Sequence, residues 1–141
     1  MKRIIIAVLC VLGLVSALDA QEKKGVMTLS SKEFKTKVYD ISAKNPEYLG
    51  SKPAIVDFYA SWCGPCRAIS PVLEELAKEY GDKIVIYKVD VDASRDIAQA
   101  FGIRSIPAVL FIPMKGEAQM TVGGRSKEDF KKQIDTILLG K

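Results

Sequence analysis

The stretch Ala54-Ile55-Val56-Asp57-Phe58-Tyr59-Ala60-Ser61-Trp62-Cys63-Gly64-Pro65-Cys66-Arg67 decides how this 141-residue chain is read. Its first seven residues are nearly all apolar, the pattern of a central strand covered on both faces. Pro65 then suits the first turn of a helix, where its missing amide leaves no gap. Downstream, Ile69, Val72, Leu73, Leu76 and Tyr80 recur at helical spacing as far as Gly81, with Pro71 in the interior expected to kink the helix. Ile84 to Val91 reads as a second strand. Strand, helix and strand of these lengths imply a parallel pair joined by a right-handed crossover.

Working outward, Val26 to Leu29 is a short strand candidate, and Ser30-Ser31-Lys32-Glu33 has the form of a capping box. The helix it opens carries Phe34, Val38 and Ile41 on one face and should stop before Asn45-Pro46. Residues 45 to 52 then form a loop. On the far side, Ser94 to Phe101 reads as a short helix ended by Gly102, and Ala108 to Ile112 as a strand. Glu117 to Val122 is its hairpin partner across Pro113-Met114-Lys115-Gly116. After Gly123-Gly124, Ser126 caps a last helix whose Phe130, Ile134, Ile137 and Leu138 face inward.

Composition narrows the chemistry. The chain is 48% apolar and 27% charged, which fits one ordinary domain with its own core. It has no histidine, so Cys-His and Ser-His nucleophilic sites and His-ligated zinc are excluded. Lys+Arg outnumber Asp+Glu by 21 to 17 with no block of five basic residues, which argues against nucleic acid as a partner.

Lys2 and Arg3 precede an apolar run from Ile4 to Val15, and the polar segment Gln21-Glu22-Lys23-Lys24 follows soon after. This is the form of a secretory signal peptide over residues 1–20, too short for the roughly 20 apolar residues that cross a bilayer. Cleavage after Ala17 or Ala20 fits the small-residue rule, and Ala20 is favoured. The expected product is an exported, periplasmic domain over residues 21–141. Cys10 is apolar filler within the leader, which leaves Cys63 and Cys66 in a compartment that permits disulfides.

Those two cysteines form one CxxC at the junction of strand and helix. A sulfur at a helix N-terminus meets unpaired amides and the positive end of the dipole, which favour the thiolate. Cys63 is therefore expected to be the nucleophile and Cys66, inside the first turn, the resolving thiol. A purely structural bridge is a weaker account, because a loop of about four residues removes only roughly 2 kcal/mol of unfolded-state entropy. Half of a zinc site is weaker still, since the remaining ligands are missing. Asp57 is a lone carboxylate inside an apolar strand, so burial should raise its pKa.

Taken together, Val56-Asp57-Phe58-Tyr59-Ala60-Ser61-Trp62-Cys63-Gly64-Pro65-Cys66-Arg67 and Gly102-Ile103-Arg104-Ser105-Ile106-Pro107 resemble the thioredoxin family. The likeness spans roughly residues 53 to 140. It implies an α/β thioredoxin fold, three-layer α/β/α with a central mixed β-sheet, and a protein-disulfide reductase that needs no cofactor beyond the Cys63–Cys66 pair. It also implies that Asp57 accepts the proton of Cys66, that Lys88 tunes Asp57, and that Pro107 is cis. On the same ground Trp62, Gly64, Pro65, Ile106, Pro107 and Gly123 bind the substrate segment.

The implied partners are disulfide-containing proteins and a membrane electron donor or a reductase, with the chain acting as a monomer. Tyr59, Ser105, Ala108 and the connection over residues 44 to 52 depart from the best-known pattern, and are expected to affect partner choice rather than chemistry. Two rival readings stay open at this level. The same dithiol run in reverse would donate its disulfide, and a redox-silent groove would hold polypeptides without turnover.

Overall fold

The computed structural model describes residues 25–141, so the expected leader over residues 1–20 lies outside the described residues. The chain order is β1 (Met27–Thr28), α1 (Ser31–Lys37), β2 (Ala54–Tyr59), α2 (Gly64–Tyr80), β3 (Val85–Asp90), α3 (Arg95–Ala100), β4 (Ala108–Ile112), β5 (Gln119–Val122) and α4 (Lys127–Gln133). The strands form one sheet in the order β1-β3-β2-β4-β5. β3 runs parallel to both β1 and β2, whereas β2–β4 and β4–β5 are antiparallel. The sheet is mixed, as expected.

Alternation along β2 divides the core into two layers. Ala54, Val56 and Phe58 point to one face, where Phe34 and Val38 from the α1 segment and Ile97 of α3 cover them. Ile55 points to the other face with Ile86, Val109 and Phe111, against Ile69, Leu73 and Leu76 of α2 and Phe130, Ile134 and Leu138 of the C-terminal helix. Helices on both faces explain why β4 is buried from end to end and β2 over all but its last residue, Tyr59.

The caps fall where the sequence placed them. Ser30 Oγ accepts from the Glu33 amide while the Ser30 amide donates to Glu33 Oε2 at 2.9 Å, completing the capping box. Ser126 Oγ accepts from the Asp129 amide at 3.1 Å at the start of α4.

Two elements differ from expectation. α1 ends at Lys37 rather than near Asn45, because the Val38 carbonyl is taken by the Leu49 amide at 2.9 Å and Asp40 Oδ1 turns the chain by accepting from the Ser42 amide. Tyr39 then pairs with Tyr48 in an isolated bridge, and Ile41 packs on the core from outside the helix. α2 spans the expected residues, with Pro71 exposed on its outer face. Finally, α4 widens into a π-helical turn over Ile134–Leu138, closed by the Leu139 amide on the Ile134 carbonyl. Phe130, Ile134 and Leu138 repeat every four residues, longer than the 3.6-residue turn, and the wider turn keeps them facing the sheet.

The candidate dithiol site

β2 delivers the chain to one end of the sheet, and α2 starts there at once. Cys63 is the N-cap of α2, with extended backbone at φ −84° and ψ 111°. Its sulfur accepts from the Cys66 amide at 3.2 Å, so one of the unpaired first-turn amides points at the reactive atom. The two cysteines are joined as a disulfide with Cα atoms 5.3 Å apart, and both are buried against Ala60 and Ile106. Gly64 and Pro65, between them, are exposed.

Opposite the dithiol, the Ile106–Pro107 peptide bond is cis, as the resemblance implied. Ile106 is half-buried on the two cysteines, whereas Pro107 itself is buried. The Pro107 carbonyl accepts from the Gly123 amide at 2.9 Å, which ties the loop after β5 to the loop before β4. Gly123 has φ +95°, a backbone setting that favours glycine. Trp62 is 68% exposed, and its Nε1 donates to Asp92 Oδ2 at 2.8 Å. The indole is thus both presented and fixed.

Asp57 is fully buried, and neither carboxylate oxygen has a hydrogen-bond partner. On β2 it shares the face of Ile55, and it is registered opposite Lys88 of β3, so both side chains lie on the α2 side of the sheet. Burial pushes the Asp57 carboxyl up to about 6, and the nearby Lys88 charge pulls the other way without cancelling it. Lys88 Nζ is held by Ser70 Oγ at 3.3 Å and stands over the Tyr59 ring, 4.3 Å from its centroid.

Reasoning from sequence missed Ser70 and Asp92 as supporting residues and placed Tyr59 among positions without bearing on the chemistry. Tyr59 in fact supports the cation that faces Asp57. Asp92 had a readable signal, since Asp90-Val91-Asp92 at a strand end is turn-forming. Asp90 Oδ1 does accept from the Asp92 and Ala93 amides. Ser70 had none, because a serine inside a helix looks solvated.

The Thioredoxin family model matches residues 25–136. The chain belongs to the thioredoxin family. A thioredoxin from Borreliella burgdorferi is 42% identical over 109 residues, covering 77% of this chain and 93% of that protein. The M-type chloroplastic thioredoxin of Pisum sativum is 43% identical over 91 residues, covering 64% of this chain and 53% of that protein. The solved structure of chloroplastic thioredoxin z matches with a TM-score of 0.68 at 25% identity, over 80% of this chain and 94% of that one.

The protein is accordingly a thiol-disulfide oxidoreductase working through Cys63 and Cys66. Members of the thioredoxin family act on disulfide-bonded proteins and exchange electrons with reductases, using the active-site disulfide itself as the redox group. Among the described residues, no group of three or more His, Cys, Asp or Glu side chains is placed to hold a metal.

The buried carboxylate sets a pH signature. An acid whose pKa is higher in the folded state stabilises the fold fully below its unfolded value near 3.8, and the advantage is lost as pH rises through about 6. Over that window the wild type should lose about 2–3 kcal/mol relative to Asp57→Asn. Urea unfolding of both proteins from pH 4 to pH 8 checks this, and parallel stability curves would show that Asp57 titrates normally.

Proposed function

We propose that the protein is exported and reduces protein disulfides outside the cytoplasm, with Cys63 attacking, Cys66 resolving and Asp57 receiving the proton of Cys66. The observation that carries the mechanism is the Cys66 amide directed at Cys63 Sγ from the first turn of α2. A negative sulfur gains from that donor and from the helix dipole, so Cys63 is the group poised to attack.

In the reduced protein the Cys63 thiolate attacks one sulfur of a substrate disulfide. An S–S bond forms to Cys63, the substrate S–S bond breaks, and one substrate thiolate leaves. Asp57, unpartnered on the α2 side of β2, takes the Cys66 proton. A carboxylate near 6 is suited to that task at neutral pH, because it is largely ionised yet still basic enough to accept a proton. The Cys66 thiolate then attacks Cys63 Sγ, the second substrate thiolate leaves, and the Cys63–Cys66 disulfide holds the result of a two-electron oxidation. Lys88 keeps Asp57 from drifting too high to ionise.

Trp62, Gly64, Pro65, Ile106, Pro107 and Gly123 surround the sulfurs and form the proposed surface for an extended substrate segment. The reducing direction is supported by Gly64-Pro65 between the cysteines, which leaves the thiolate without the cationic neighbour that makes a dithiol oxidising. Export is supported by Lys2 and Arg3 ahead of the apolar run Ile4 to Val15. An exported reductase must be recharged, so a membrane electron donor or a separate reductase is its second partner. One chain carries both sulfurs and the carboxylate, and a monomer suffices for the reaction.

Three measurements follow from this reading. Cys66→Ser should accumulate substrate proteins linked through Cys63 and released by dithiothreitol; capture that yields nothing covalent would remove Cys63 as the attacking group. Asp57→Asn should slow the second attack on the order of a hundred-fold at pH 7 while sparing the first, the low end of the range for a general base. Equal slowing of both steps in stopped-flow traces would end the proton-acceptor role. Lastly, the intact mass of protein recovered from the producing cell's outer compartment should correspond to a chain starting at Gln21.

A further inference from the structure

The described residues include four arginines, Arg67, Arg95, Arg104 and Arg125, and the sheet register puts all of them at one end of the molecule. Tyr59, the last residue of β2, is registered with Asp90, the last of β3, and Ala108, the first of β4, is registered with both Phe58 and Val122. The segments following β2, β3 and β5 and the one preceding β4 therefore converge where the dithiol lies. Each carries one arginine. Lysines show no such bias, since Lys83 and Lys115 stand at the opposite end, before β3 and in the β4–β5 turn.

Two of the four lie on the segments that wall the dithiol. Arg104 lies two residues before Ile106, which packs on Cys63 and Cys66. Arg125 lies two residues after Gly123, whose amide is bonded to the Pro107 carbonyl, and a methyl added at Gly124 would meet Ile69 of α2 at 3.9 Å. All four arginines are exposed, and none is in an ion pair among the described residues. Arg67 is partly occupied by the Ser61 carbonyl at 3.4 Å.

Most carboxylates at the same end have partners within the chain, chiefly neutral donors that hold them in place without cancelling their charge. Asp92 holds Trp62, Asp90 holds the Asp92 and Ala93 amides, Asp96 is paired with Lys35 and Ser31, and Asp129 is bonded to Ser126. Glu128, in the first turn of α4, pairs with none of the arginines. Beside these held carboxylates, what Arg104 and Arg125 offer to a partner is unpaired guanidinium, a planar fork that matches a carboxylate in two-point contact.

Resting on the reductase reading, we propose that Arg104 and Arg125 select disulfides flanked by acidic residues, each taking a carboxylate on one side of the substrate cysteine. Charges on a rim act chiefly on encounter and orientation, so the selection falls on kcat/KM and weakens with salt.

The test uses three peptide disulfides of one scaffold whose cysteine is flanked by Glu, by Ser or by Lys, reduced by the full chain at low ionic strength. The wild type should favour the Glu peptide over the Lys peptide by tenfold or more, and 0.5 M NaCl should shrink that ratio. In the double variant Arg104→Glu, Arg125→Glu the ratio should invert; because it is taken within one protein, any loss of folding or sulfur reactivity cancels. A wild-type ratio within twofold, or one that survives the charge reversal, overturns the proposal. Failure of the wild type on all three peptides, the Ser peptide included, overturns the reductase reading and this inference with it.

Discussion

The structure depends on an abrupt handover from β2 to α2. A strand buried on both faces has no freedom to shift register, and it ends within four residues of a helix whose first amides are unsatisfied. Cys63 occupies the capping position that serine fills at α1 and α4, so the need that a hydroxyl meets elsewhere is met here by sulfur. The same amide that closes the helix end favours the thiolate of Cys63, the attacking form in the proposed mechanism. Stability of the helix terminus and reactivity are one contact.

Behind that contact lies a second, opposed constraint. Asp57 has no hydrogen-bond partner and no exposure, and the fold carries it at a cost in stability whenever it is ionised. Lys88 limits the cost without removing it, held between Ser70 and Tyr59 rather than against the carboxylate itself. A direct ion pair would have lowered the affinity of Asp57 for a proton and spoiled it for the proposed role of acceptor. Holding the cation on α2 and an aromatic ring preserves the intermediate strength that the proposed chemistry calls for.

Where local chemistry alone determines structure, the sequence was a sufficient guide. Ser30-x-x-Glu33, Ser126, the apolar run of β2 and the WCGPC junction all appear as read, because each depends on neighbours within a few residues. The failures share a cause as well. α1 stops early through a hydrogen bond from Leu49, the Ile134–Leu138 turn widens to meet the sheet, and Ser70 finds Lys88 across the gap between α2 and β3. Each involves a partner distant in sequence or in another layer, which periodicity does not encode. The dithiol, Asp57 and Pro107 were legible; the side chains that hold Trp62 and Lys88 in place were not, save for the turn signal at Asp90 and Asp92.

The tie between the Gly123 amide and the Pro107 carbonyl has a consequence of its own. It couples the backbone of the wall facing the sulfurs without using any side chain, so residues on either side of it are released from structural duty. Arg104 and Arg125 project from that braced frame as replaceable attachments. Partner preference in this protein is therefore a modular property: the tips can be rewritten by ordinary drift while the sulfur chemistry below them goes on unchanged.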